Sequence, residues 1–138
     1  ITHHQLITDN WISMIKDIPT PTEINLHQKS RLLEITFDDG EHFELTCEYL
    51  RVYSPSAEVR GHAPGDEVLQ VGKADVNIEK IEPVGTYAVV LRFDDGHDTG
   101  IYSWDWLYHI GKNHDKLWQA YLDKLEKSGQ KRGPTNTD

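Results

Sequence analysis

Two histidines in this chain each follow a glycine, in Gly61-His62 and Gly96-His97, and carboxylates lie close in sequence to the first, at Glu58 and Asp66. Two imidazoles and a carboxylate could hold a divalent ion such as zinc or iron if the fold brings them together. His42-Phe43-Glu44 has the His-x-acid spacing of half a ferrous-iron triad. Residue alternation, however, sends His42 and Glu44 to the polar face of a hairpin, so no metal role is assigned to them. The pairs Asp38-Asp39 and Asp94-Asp95 look like acid–base dyads. Neighbouring residues in a tight turn point apart and Asp bonds nearby backbone, so these four are read as turn formers. Trp104 and Trp106, with Tyr102 and Tyr108, are core or interface material, and an exposed patch built from them would mark a protein partner. Zinc-type cysteine clusters, Walker loops, dinucleotide glycine patterns and nucleophile elbows are all missing from the sequence.

The elements that must position these residues follow from hydrophobic period. Leu33, Ile35 and Phe37 alternate with Glu34 and Thr36, and Phe43, Leu45 and Cys47 continue the alternation after a turn. A three-residue loop, Asp38-Asp39-Gly40, keeps the faces consistent. With Gly40 left-handed in a G1 bulge, Ile35 pairs with Phe43 and Leu33 with Leu45. The tetrapeptide Phe-Asp-Asp-Gly recurs at 93–96. The same construction there pairs Phe93 with His97, Leu91 with Thr99 and Val89 with Ile101, which puts His97 on the apolar face, at the place Glu41 holds in the first copy.

Each hairpin leads into an aromatic–leucine pair in a short helical stretch, Tyr49-Leu50 and Trp106-Leu107. Ser103 is the expected N-cap of the second, and Gly111 its end. Between the units a loop-rich connection runs from Ser54 to Lys73. A closing amphipathic helix starts at an Asn113 cap and places Leu117, Trp118, Tyr121, Leu122 and Leu125 on one stripe up to Lys127. The predicted fold class is α+β, with two antiparallel hairpin-plus-short-helix units and a C-terminal amphipathic helix. Residues 1–21 form an N-terminal extension with a short helix carrying Trp11, Met14, Ile15 and Ile18. Residues 22–127 form a single domain, and residues 128–138 a disordered tail without apolar anchor.

At 138 residues one domain is expected, and 14 Lys+Arg against 23 Asp+Glu give a formal charge of −9. Such a field repels phosphate backbones and anionic membranes, so neither nucleic acid nor membrane is an expected partner. One cysteine, Cys47, cannot form an internal disulfide, and the sequence has no long apolar run, which fits a cytoplasmic setting.

The stretch Leu50-Arg51-Val52-Tyr53-Ser54-Pro55-Ser56-Ala57-Glu58-Val59-Arg60-Gly61-His62, together with Phe93 to Trp104, resembles the gamma-butyrobetaine hydroxylase-like N-terminal domain family over about Thr22 to Gly111. The family includes the small domain before the oxygenase domain of gamma-butyrobetaine and trimethyllysine hydroxylases. It also includes stand-alone bacterial proteins of undefined function and a module attached to ATPases of iron–sulfur cluster assembly. This chain resembles the stand-alone kind. In the hydroxylases three cysteines and a histidine bind a structural zinc. Carried over by residue, the cysteines fall at Ser54, Ser56 and Val59 and the histidine at His97.

The resemblance therefore points to His97 as a functional position, with Arg51, Ser54, Ser56, Arg60 and His62 as its candidate neighbours, and these arginines and serines could alternatively receive a small anion. It implies a non-catalytic binding or adaptor module acting on a protein partner, linked to metal or iron–sulfur metabolism through the fused relatives. Two alternatives stay open: a small metal-binding protein or metalloenzyme using His62 and His97, and an accessory domain of a separately encoded oxygenase.

Overall fold

A computed structural model describes residues 18–133. The helix expected around Trp11 to Ile15 lies outside those residues. The order is β1 (Pro21–His27), β2 (Leu32–Phe37), β3 (His42–Thr46), α1 (Cys47–Val52), α2 (Ala57–Arg60), β4 (Ile78–Val84), β5 (Ala88–Phe93), β6 (Ile101–Ser103), α3 (Trp104–Lys112) and α4 (His114–Ser128). The class is α+β, with two three-stranded antiparallel sheets, β1-β2-β3 and β4-β5-β6, each followed by helix.

Each hairpin thus has a third strand on its N-terminal side. β1 escapes notice in the sequence because only Ile24 and Leu26 alternate inward, and both are only half-buried. The first hairpin has the predicted register, Ile35 against Phe43 and Leu33 against Leu45. Gly40 sits at φ +90° and its N–H donates to Phe37 O at 3.0 Å, a turn that only glycine enters without strain.

The second copy begins alike, with Phe93 N–H on His97 O at 3.0 Å and Gly96 N–H on Phe93 O at 3.2 Å. It then slips. Val90, not Val89, faces Ile101, and Val89 faces Tyr102. One extra residue between His97 and Ile101 turns the strand over, so Ile101 is exposed while Tyr102 is fully buried. The cause is tertiary: Gly100 lies so close to the first unit that an added Cβ would fall 2.5 Å from Ser54 Oγ.

The duplicated turns do duplicated work. Asp38 Oδ1 accepts from Thr20 N–H at 3.2 Å and Asp94 Oδ1 from Asn77 N–H at 3.0 Å, each fastening the chain before its added strand. Asp39 Oδ1 caps Glu41 N–H and Asp95 Oδ1 caps His97 N–H, at 3.0 and 3.1 Å. Thr46 and Ser103 cap α1 and α3 by accepting from Tyr49 and Trp106 N–H, each at 3.1 Å.

Residues of both sheets and of α1, α3 and α4 share one apolar core. Tyrosines stitch it across long stretches of sequence: Tyr49 donates to Ile110 O, Tyr53 to Leu117 O and Tyr102 to Leu50 O at 2.6 Å each, and Tyr121 to Gln70 O at 2.7 Å. Burial of the bulky rings is thereby compatible with satisfied phenols.

Two expected helix boundaries move. Gly111 does not end α3; it sits inside the helix, where an added Cβ would come within 2.6 Å of the Phe43 ring. Asn113 does not cap α4 with its side chain, which turns back to donate to His109 O at 2.9 Å and closes α3 instead. The tail reading considered apolar anchors alone and missed a charged one. Arg132 donates to both carboxylate oxygens of the buried Glu48, at 2.9 and 2.8 Å, and lies 5.2 Å from the Trp118 ring centre. Among the described residues no helix is long and apolar enough to cross a membrane.

Candidate functional site

α1 ends against the turn of the second unit, and there the residues singled out by sequence meet. Ser54 follows the C-cap Tyr53, and its Oγ lies 2.8 Å from His97 Nε2 while accepting from Ser56 N–H at 3.2 Å. Burial, and after it the Arg51 guanidinium, push the His97 imidazole below its ordinary range. A neutral ring accepting the Ser54 hydroxyl proton satisfies both partners. Ser56 caps α2 through Glu58 N–H at 3.2 Å, and its Oγ pairs with Thr99 Oγ1 at 2.7 Å. Thr99 Oγ1 in turn donates to Glu58 Oε1.

Arg51 is buried. Its Nε donates to Asp95 Oδ2 at 2.8 Å and a terminal nitrogen donates to Gln70 Oε1 at 2.9 Å, while Lys73 Nζ reaches the same Asp95 oxygen at 2.7 Å. Burial raises the Asp95 carboxyl. The hydrogen bonds from Lys73, His97 N–H and Arg51 together outweigh it and bring the group down to about 2. Among the described residues no buried side-chain polar atom lacks a partner. Arg51, Ser54, Ser56 and His97 therefore bind one another and their neighbours rather than an open receptor for an anion.

The zinc implied by the resemblance does not fit this donor set. Ser54 and Ser56 offer hydroxyls already spent in hydrogen bonds, Val59 is a buried aliphatic side chain, and His97 Nε2 faces Ser54. His62 is exposed, and the group of three or more donors found among the described residues contains neither His62 nor His97. That group is Glu34, His42 and Glu44, on the face sequence reasoning had set aside.

Arg60 leaves the network and lies over Trp106, its guanidinium carbon 5.4 Å from the ring centre. Both tryptophans are half-buried and use their indole N–H inside the fold, Trp106 on Tyr53 O at 2.9 Å and Trp104 on Thr86 O at 2.8 Å. Beside Arg60 a hollow of about 430 Å³ opens between α1, the loop after α2 and α4, with Tyr53, Val68, Leu69, Tyr121 and Lys124 among its walls. Val68 and Val71 in that loop are 53% and 41% exposed.

Sequence reasoning missed Asp95 as a partner of Arg51. It read the residue as a turn former, which one of its oxygens is; the other oxygen does the pairing. Gln70 and Lys73 were missed because the loop that carries them has no period to read.

The match to the family of gamma-butyrobetaine hydroxylase-like N-terminal domains spans residues 24–108, and the chain belongs to that family. Two proteins with NMR solution structures are similar to it. One is 55% identical over 86% of this chain and 88% of its own, the other 44% identical over 85% and 92%, each with a TM-score of 0.74. A crystal structure of a protein of unknown function from Acidithiobacillus ferrooxidans, assigned to the family DUF971, is 38% identical over 67% of this chain and 92% of its own, with a TM-score of 0.56. No curated protein shows a significant match.

Proposed function

We propose that this chain is a non-catalytic binding module that engages a protein partner through the hollow between α4 and the loop after α2. The observation that carries the reading is a contrast. The polar groups at the resemblance positions are closed on one another, whereas the hollow is open, partly apolar, and bordered by the exposed Val68. Its volume of about 430 Å³ suits an apolar anchor side chain of a partner segment between Tyr53 and Tyr121. A cytoplasmic setting belongs to the proposal, supported by a single cysteine buried as a free thiol. A link to metal or iron–sulfur metabolism rests on analogy with fused members of the family.

Site-specific photocrosslinking in cells tests the reading. A crosslinking residue at Val68 should trap one defined protein that the same residue at Glu23 does not. Val68→Asp, at an exposed residue of the hollow's wall, should weaken the purified pair by at least about tenfold, about 1.4 kcal/mol. Equal trapping from both positions, or an affinity that Val68→Asp leaves unchanged, would remove the hollow as the docking site.

A further inference from the structure

The outer face of the first sheet carries imidazoles and carboxylates from all three strands. His27 on β1 and His42 on β3 each place Nε2 3.0 Å from Glu34 on β2, one on each carboxylate oxygen. Glu44 stands directly opposite Glu34 in the β2–β3 register. Ligand atoms of Glu34, His42 and Glu44 all lie within 4.8 Å of one another. Glutamates directly opposed across a strand pair repel, so a cation between them removes a cost that the fold otherwise carries.

We propose that Glu34, His42 and Glu44 form a solvent-facing site for a divalent transition-metal ion. An imidazole nitrogen beside two carboxylates favours zinc and its neighbours over magnesium or calcium, which prefer oxygen alone. A second feature of the kind found behind metal ligands is also in place. His42 Nδ1 lies 2.8 Å from Thr36 Oγ1, so the ring is oriented with Nε2 toward the carboxylates, and the Thr36 oxygen accepts the Nδ1 proton when Nε2 holds metal. A side-chain exposure of 45% for His42 leaves room for water or a partner's ligand on the ion. Alternation alone pointed to a solvated face without convergence. Glu34 on β2 supplies the convergence, with Glu44 directly opposite and His42 diagonal to it across the strand pair.

Calorimetric titration of zinc chloride into the full chain near pH 7.5 tests the site, with His42→Ala, Glu34→Gln and the exposed His62→Ala as variants and circular dichroism to confirm that each is folded. The site predicts saturable binding that His42→Ala and Glu34→Gln each weaken by at least about tenfold and that His62→Ala leaves unchanged. Absence of saturable zinc binding by the wild type overturns it. Binding that survives both site variants overturns it as well, since the donors then lie elsewhere, such as His3 and His4.

Discussion

Arg51 reaches from the first unit into the turn of the second, its Nε 2.8 Å from Asp95 Oδ2. The relationship has a counterpart in reverse. Tyr108, the fifth residue of α3 as Arg51 is of α1, donates to Asp39 Oδ2 in the first turn at 2.6 Å. Each helix therefore holds the other unit's Asp-Asp-Gly turn. The two clasps differ in depth: Asp95 meets a buried guanidinium, while Asp39 meets a half-buried phenol at the surface.

Asp95→Asn should destabilise the fold by about 2–3 kcal/mol in urea denaturation, because it leaves the buried Arg51 charge without its counter-ion; the figure is kept low because the Asp95 side chain is 21% exposed. Asp39→Asn should cost clearly less. The ordinary Asp95 value is 3.8 and its value in the fold is about 2, so its stabilisation is complete above about pH 4 and disappears as pH falls through 2. A wild-type acid titration should show this limb and the Asp95→Asn protein should lack it.

His97 runs with the same sign, at higher pH. Its imidazole is depressed below 6.5, so beneath that pH the unfolded chain takes up a proton before the folded one does. Stability should be free of this effect above pH 6.5 and fall as the pH drops towards 5. In His97→Gln that slope should vanish, at the cost of lower stability at pH 7.5 from the altered bond to Ser54. Thermal unfolding across the range reads both; an unchanged slope in the variant would show that His97 is not the titrating group.

Gly111→Ala separates packing from propensity. Alanine in a helix interior is favoured over glycine by about 1 kcal/mol. Here its Cβ would meet the Phe43 ring at 2.6 Å, and over-packing of this kind costs about 1–3 kcal/mol. Net destabilisation is expected, and a pair with Phe43→Leu should recover part of it. A stabilised single variant would show that the ring yields.

Ending the chain at Ser128 should destabilise it, because Glu48, only 6% exposed, loses both bonds from Arg132. A loss of about 1–3 kcal/mol is expected, reproduced by Arg132→Ala and accompanied by a change in Trp118 emission, whose ring the guanidinium covers.

The first hairpin was legible because everything that fixes its register is local: alternation, a three-residue loop and one glycine. The second copy shares that text but not its outcome. Its slip is imposed by Gly100 meeting Ser54, a contact between units that no window of sequence contains. Gly111 and Asn113 read as a helix stop and a helix start by residue type, yet the first is placed by the Phe43 ring and the second turns back to His109. His97 was found as a position, whereas its partners Ser54 and Asp95 act through a network assembled from both units. The Glu34–His42–Glu44 group was set aside for a different reason. Alternation put His42 and Glu44 on the polar face, and the reading did not add Glu34, which faces them across the strand pair.

Two phenols tie carbonyls across the two repeated units, Tyr49 to Ile110 and Tyr102 to Leu50, two more fasten the closing helix to the rest, and the apolar core is common to all. Neither sheet can therefore be peeled from the other without stripping buried acceptors from its neighbour. The protein is built to melt as a single cooperative body. Its repeat survives as a pattern of contacts, but the halves have surrendered the autonomy that separate folding would require.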